Sequence, residues 1–201
     1  MIALVDYGAG NLTSVKKALS SLGASFTVPS SPDECRRAEA VIVPGVGHFA
    51  ATARLDSPWR EAICETTKAG VPLFGICVGM QWLFEGSDEA PGVEGLGVMP
   101  GRIARLSGNA DERLKVPHVG WNALTFTSKT RLLAGLAIGS QVYFTHSYAA
   151  PVTSDCVAST THANTFASVV ERDNIFGVQF HPEKSGDVGL HILRNFLEIC
   201  R

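Results

Sequence analysis

The segment Gly75-Ile76-Cys77-Val78-Gly79 follows the apolar run Val71 to Ile76 and precedes a helix-compatible stretch, Met80 to Phe84. A strand that runs straight into a helix with a reactive side chain at the junction restricts the chain to folds that tolerate a sharp strand-to-helix turn. The flanking glycines permit that turn and push Cys77 out of the sheet, which is the mechanics of a nucleophile elbow with sulfur in place of oxygen. The start of the following helix also favours a thiolate there. A glycine-flanked cysteine alone is more often a small buried hydrophobe, so the reading depends on partners. Far downstream, Phe176 to Phe180 reads as a second buried strand ending in His181-Pro182-Glu183. Extended spacing places the imidazole and the carboxylate on one face, where Glu183 can orient His181 as a base.

Short apolar runs alternate with helical patterns through the first half. Ile2 to Val5 reads as a strand, and Leu12, Val15, Leu19 and Leu22 form a helical stripe closed by Gly23. Strands follow at Ser25 to Val28 and Ala40 to Val43. Ser57-Pro58 reads as the cap and first residue of a helix that turns Trp59, Ala62 and Ile63 inward and stops at Gly70. The strand Val71 to Ile76 completes this series. Repeated units of this length predict an α/β domain over residues 1–201, with a mostly parallel central sheet and helices on both faces. Such sheets gather active sites at the carboxyl ends of their strands, where Cys77 falls.

The second half differs. Residues 85–101 are rich in glycine and proline, and Trp121 to Phe126, Gln141 to Thr145, Ala167 to Val170 and Ile175 to Phe180 predict strands joined by turns such as Arg172-Asp173-Asn174. These are expected as antiparallel additions to the sheet. Ile192, Leu193, Phe196, Leu197 and Cys200 form a closing helical stripe, which makes Cys200 a packing residue.

With 45% apolar residues over 201 positions the chain can build a sizeable core. The formal net charge is -2 and no run of lysines or arginines follows a phosphate backbone, which argues against nucleic acid as a partner. No window reaches the roughly eighteen apolar residues of a membrane span, and the chain opens directly on a strand-like segment. A cytoplasmic protein is expected. Five cysteines without a C-x-x-C spacing suggest reduced thiols rather than a disulfide framework or zinc ribbon.

Six histidines compete for the role of base. His162 lies in a polar stretch and His191 in the final helix, where hydrogen bonding or surface placement explains them. His48, His118 and His146 sit in glycine-rich or strand-end segments and could line a pocket. Only His181 leaves a buried strand with a carboxylate two residues on. Cys77, His181 and Glu183 lack the paired spacing of a metal site, and no metal is expected. Pro44-Gly45-Val46-Gly47 follows a strand and is either a plain turn or a place where the Val46 peptide, beside the Val78 N–H, completes an oxyanion hole. Gln81, one turn beyond Cys77, is either solvated or faces the same pocket.

GICVGMQ and HPEKS resemble the motifs of triad-type, class I glutamine amidotransferases. DYGAGN (6–11), PGVGHF (44–49), VPHVGWN (116–122) and YFTHSY (143–148) resemble, within that group, the glutaminase subunits of imidazole glycerol-phosphate synthase. Together they cover essentially the whole chain in the expected order, with Val78 and Trp82 in place of the more usual leucines.

The resemblance implies a class I glutamine amidotransferase-like fold and a Cys77-His181-Glu183 triad that hydrolyses glutamine through a glutamyl thioester. It implies glutamine-holding positions at Gln81, His146, Ser147 and Tyr148, and an oxyanion hole from the backbone of Gly45, Val46, Gly47 and Val78. It also implies a heterodimer with a (β/α)₈ cyclase that takes up the ammonia, touched by Asn11, Trp121, Tyr143 and Lys184, and no cofactor. A peptide between glycines at Val46 could rotate and gate activity in response to that partner. From the residues alone, a cysteine peptidase or a non-enzymatic redox module stays open. The intact His181 and Glu183 speak against the second, and the amidotransferase-like loops against the first.

Overall fold

The computed structural model describes residues 1–107 and 115–201. The first half contains β1 (Ile2–Leu4), α1 (Leu12–Ser21), β2 (Phe26–Thr27), α2 (Pro32–Arg36), β3 (Ala40–Gly45), α3 (Ser57–Lys68), β4 (Leu73–Cys77) and α4 (Val78–Trp82). Then come β5 (Gly86–Ser87), β6 (Arg102–Arg105), β7 (His118–Ala123), β8 (Thr125–Phe126), β9 (Gln141–His146) and β10 (Tyr148–Ala149). The chain closes with β11 (Cys156–His162), β12 (Asn164–Arg172), β13 (Ile175–Val178) and α5 (Gly186–Ile199).

The central sheet has eight strands in the order β2-β1-β3-β4-β13-β12-β11-β8. From β2 to β13 every pairing is parallel, and β12, β11 and β8 extend the sheet antiparallel. This is the mostly parallel α/β architecture that the repeated units predict, with the antiparallel additions expected of the second half. Alternation along the strands divides the core in two. Ile2, Leu4, Ile42, Phe74 and Ile76 join a cluster with Val15 and Leu19 of α1 and Ile192, Leu193 and Phe196 of α5. Ala3, Val5, Val41, Val43 and Leu73 face the other way, to Cys35 of α2, Ile63 of α3 and Met80 and Trp82 of α4. Because successive side chains point to opposite faces, a strand covered by helices on both sides must be apolar at every position. All six residues of β3 are indeed buried.

Two smaller sheets pack beside the main one: β10-β6-β5 and the antiparallel ribbon β7-β9. The ribbon pairs His118 with His146 and Trp121 with Tyr143.

Several sequence expectations shift. The cap of α3 is Asp56, whose carboxylate accepts from the Trp59 N–H, so Ser57 is the first helical residue rather than the cap. An aspartate one residue upstream outcompeted the serine for the free N–H. The expected strand Trp121 to Phe126 divides at Leu124: β7 joins the ribbon, and β8 joins the main sheet against β11. Leu124 is fully buried at that switch. The strand at β13 ends at Val178, not Phe180. β11 carries polar Ser159, Thr160 and Thr161, which hid it from hydrophobic patterning. α2 is a five-residue helix that no periodicity announces. Among the described residues no helix is long and apolar enough to cross a membrane.

Candidate active site

Cys77 is the last residue of β4 and the cap of α4, at φ 53° and ψ −110°. A non-glycine residue in this region is strained, and the surrounding packing holds it there. The flanking glycines act differently from expectation. Neither has a left-handed φ; instead both lie where a side chain has no room. A β-carbon on Gly75 would sit 2.7 Å from the Gly79 carbonyl oxygen and the Met80 nitrogen. The glycines thus let α4 fold back onto β3 and β4, and Cys77 itself absorbs the strained turn. With only five residues, α4 gives the sulfur less help from its dipole than a long helix would.

Beyond β13, His181 remains extended, but Pro182–Lys184 form a 3-10 turn. The expected strand alternation is therefore absent, and the turn brings the carboxylate back to the ring. His181 Nδ1 lies 2.8 Å from Glu183 Oε1, and both side chains are almost fully buried. The carboxylate can only accept, so His181 carries its proton on Nδ1 when neutral, and Nε2 has no hydrogen-bond partner among the described residues. Burial opposes protonation of His181, yet negative charge at Cys77 and the Glu183 carboxylate outweigh it and raise the imidazole from 6.5 to about 10. The structure thus brings Cys77, His181 and Glu183 together.

A cleft opens beside Cys77. Gly47, Val78, Gln81, His146, Ser147 and Tyr148 line it, together with Glu89 and Thr145. Gly45 and Val46 are not part of its wall. Gly45 instead pairs with Cys77 across β3 and β4, and a β-carbon there would lie 2.2 Å from Tyr7 Oη. Its glycine therefore serves close packing, whereas Gly47, at φ 102° with open space around it, is the conformationally free member of the loop. Glu89 went unnoticed in the sequence because it lies in the glycine-rich stretch. Its carboxylate accepts from the Phe49 N–H at 2.8 Å.

Gln81 donates from Nε2 to the Tyr148 carbonyl at 2.9 Å and to Gln179 Oε1 at 3.1 Å. The same carbonyl accepts from His146 Nδ1 at 2.9 Å, and His146 Nε2 lies 3.1 Å from His118 Nδ1. Asn122 Nδ2 reaches His118 Nε2 at 3.3 Å. His162 stacks on His118, which gives this histidine of a polar strand a packing role. Desolvation, reinforced by the neighbouring histidines, pushes His118 down to about 3, and desolvation pushes His146 down to about 4. His48 caps the turn that follows β3, and His191 bonds the Ala134 carbonyl.

Trp121 is 56% exposed and meets the Tyr143 ring edge-on, with Lys184 Nζ 6.0 Å from that ring. The Tyr143 carbonyl accepts from the His181 N–H at 2.9 Å, so this patch backs directly onto the triad. Asn11 caps α1 through the Ser14 N–H. Among the described residues, no group of three or more His, Cys, Asp or Glu is arranged to hold a metal ion.

Residues 3–200 match the model of the glutamine amidotransferase class-I family. The imidazole glycerol phosphate synthase subunit HisH of Methanothermobacter thermautotrophicus is 45% identical, with 100% of each chain covered. That of Pyrococcus furiosus is also 45% identical, with 97% of each chain covered. A solved glutamine amidotransferase structure superposes with a TM-score of 0.76 at 20% identity, covering 99% of this chain and 98% of that one, a likeness of fold. The chain belongs to the class-I glutamine amidotransferases and, within them, to the family of the imidazole glycerol phosphate synthase subunit HisH.

Proposed function

We propose that this chain hydrolyses glutamine to glutamate and ammonia as the glutaminase subunit of an imidazole glycerol phosphate synthase in histidine biosynthesis. The observation that carries this is the strained Cys77 at the floor of a cleft, beside a buried His181–Glu183 pair. Cys77 Sγ attacks the side-chain amide carbon of glutamine, and its proton passes by way of His181 to the departing nitrogen, which leaves as ammonia. Water, deprotonated by His181, then attacks the thioester, glutamate leaves, and the thiol is restored. Glu183 holds the ring with Nε2 directed to the reacting atoms.

The Val78 N–H and the backbone of Gly45, Val46 and Gly47 stabilise the oxyanion. Support comes from the register that sets Gly45 beside Cys77. One such donor is worth about 2.7 to 4 kcal/mol. Gln81 and the segment His146, Ser147 and Tyr148 hold the substrate. Glu89, the carboxylate in the cleft lining, supplies negative charge for an α-ammonium group.

Ammonia passes to a cyclase subunit with a (β/α)₈ barrel, which docks on the face carrying Trp121, Tyr143, Lys184 and Asn11. Exposure of Trp121 and the backbone link from Tyr143 to His181 favour that face. Rotation of the Val46 peptide at the free glycine, Gly47, couples docking to oxyanion-hole formation. The test is a glutaminase assay with and without the cyclase and its ligand. Slow hydrolysis alone and a large increase in the complex are expected. Full activity alone, unchanged by the partner, points to a free-standing amidase, and labelling of Cys77 by peptide electrophiles rather than glutamine analogues points to a peptidase.

A further inference from the structure

Tyr148 presents one backbone carbonyl to two side chains, Gln81 and His146. A carbonyl oxygen only accepts, so the group that Gln81 turns to it must be its NH₂. The second hydrogen of that NH₂ points to Gln179, which must therefore turn its own oxygen to Gln81. The remaining end of the Gln179 carboxamide is then fixed as the donor, and its Nε2 lies 3.6 Å from Cys77 Sγ. A single acceptor thus sets the polarity of two successive amides that end on the sulfur. Gln179 is fully buried, so nothing in the solvent competes for its N–H groups.

We propose that Gln179 is a further functional residue of this site, whose N–H, held in direction by Gln81, stabilises negative charge on the Cys77 sulfur. This rests on the reading of Cys77 as the nucleophile. Two consequences follow. Sulfur is a weak acceptor when neutral but a strong one when charged, so the contact favours the attacking form of Cys77 over the resting thiol. Moreover, Gln81 lines the substrate cleft, so order in the cleft is transmitted to the sulfur through two hydrogen bonds.

The experiment compares the parent chain with Gln179→Met, which keeps length and apolar volume but has no N–H. The alkylation rate of Cys77 by iodoacetamide is read by mass spectrometry, and kcat and KM for glutamine are measured in the assembled complex. Alkylation and kcat should fall together by about tenfold or more, the range for a hydrogen bond to a charged group. KM should change far less, because Gln81 keeps its bond to the Tyr148 carbonyl, and the melting temperature should fall by no more than the several degrees expected of one Gln81 donor left unpaired. A folded variant that alkylates and turns over at the parent rates overturns the proposal.

Where Gln179→Met does not fold, the parent decides. The chain contains three glutamines, Gln81, Gln141 and Gln179, so their ¹⁵N-labelled carboxamides are readily separated by nuclear magnetic resonance. The Gln179 signal should move when Cys77 is alkylated, and a signal unmoved overturns the contact. If the parent complex fails to hydrolyse glutamine while the Gln179 signal does move, the glutaminase reading fails and the contact with the sulfur stands.

Discussion

The α-carbon of Gly79 packs against the carbonyl oxygen of Val43, so closely that a β-carbon at position 79 would lie 1.7 Å from it. That oxygen belongs to the backbone of β3 and cannot rotate away as a side chain would. Gly79→Ala must therefore separate α4 from β3, which moves the elbow and the adjacent loop together. Overpacking of this kind costs about 1 to 3 kcal/mol or more. Thermal melts should place Gly79→Ala well below the parent. Gly92→Ala, where nothing lies within 4 Å and φ is not left-handed, should stay within about 0.5 kcal/mol. Equal melting of the two variants would remove the close approach as a determinant of the fold.

At position 77 the usual order of alanine and glycine should reverse. Alanine is normally the more stabilising of the two by a few tenths to about 1 kcal/mol, because glycine loses more freedom on folding. Here φ is 53° and ψ −110°, where a β-carbon is strained by about 1 to 3 kcal/mol. Both Cys77→Ala and Cys77→Gly should lack glutamine hydrolysis, while their complexes with the cyclase still form product from added ammonium salt. Of the two, Cys77→Gly should melt higher. An alanine variant that is the more stable would mean the elbow relaxes without its cysteine.

The elbow was legible in the sequence because its constraint is local: a strand, a turn and a helix within a few residues, with glycines wherever the backbone crowds. The parallel half of the sheet was legible for a related reason, since strands buried on both faces must be continuously apolar. What escaped depends on contacts distant in sequence. β11 spends polar residues on side-chain pairing, as when Thr160 Oγ1 donates to the Ala123 carbonyl at 2.9 Å, so its pattern looks like a loop. The switch at Leu124 is decided by which sheet edge is free, and no residue near it says so. The His181–Glu183 pair was found by the wrong geometry, because a 3-10 turn and an extended strand can both bring residues two apart onto one side. Gln179 was hidden in an apolar strand where a buried carboxamide looks like an exception, although an unexplained polar residue beside a catalytic motif is itself a signal.

The His118–His146 pair should make the fold sensitive to acid. Both rings are neutral in the folded chain, with values depressed to about 3 and about 4 by desolvation. In the unfolded chain each takes up a proton near 6.5. The unfolded state therefore binds more protons below that value, and stability is lost as pH falls from about 6.5 toward 4. Each proton contributes up to about 1.4 kcal/mol per pH unit. Urea titrations at pH 7.5 and 5 should show this loss in the parent. His118→Gln, which keeps a hydrogen-bonding group but does not titrate, should show a shallower dependence. Identical pH slopes would mean that the pair is protonated in the fold after all.

His181 should act in the opposite direction. Its folded value is raised to about 10, with negative charge at Cys77 and the Glu183 carboxylate overcoming the burial that opposes it. A group held above its unfolded value stabilises the fold fully below about 6.5 and loses that contribution as pH climbs through about 10. Glu183→Gln removes one source of the elevation, since a neutral amide oxygen can still accept from Nδ1–H but no longer carries charge. The variant should melt closer to the parent at pH 10 than at pH 7, because only at neutral pH does the parent enjoy the charged pair. Its hydrolysis of glutamine should fall less than that of His181→Ala, which loses the ~10²- to 10⁴-fold typical of a proton-transfer group. Melts recorded from pH 6.5 to 10.5 check the first expectation, and turnover in the assembled complex checks the second. A Glu183→Gln variant with an unchanged gap to the parent at every pH would show that the carboxylate only positions the ring.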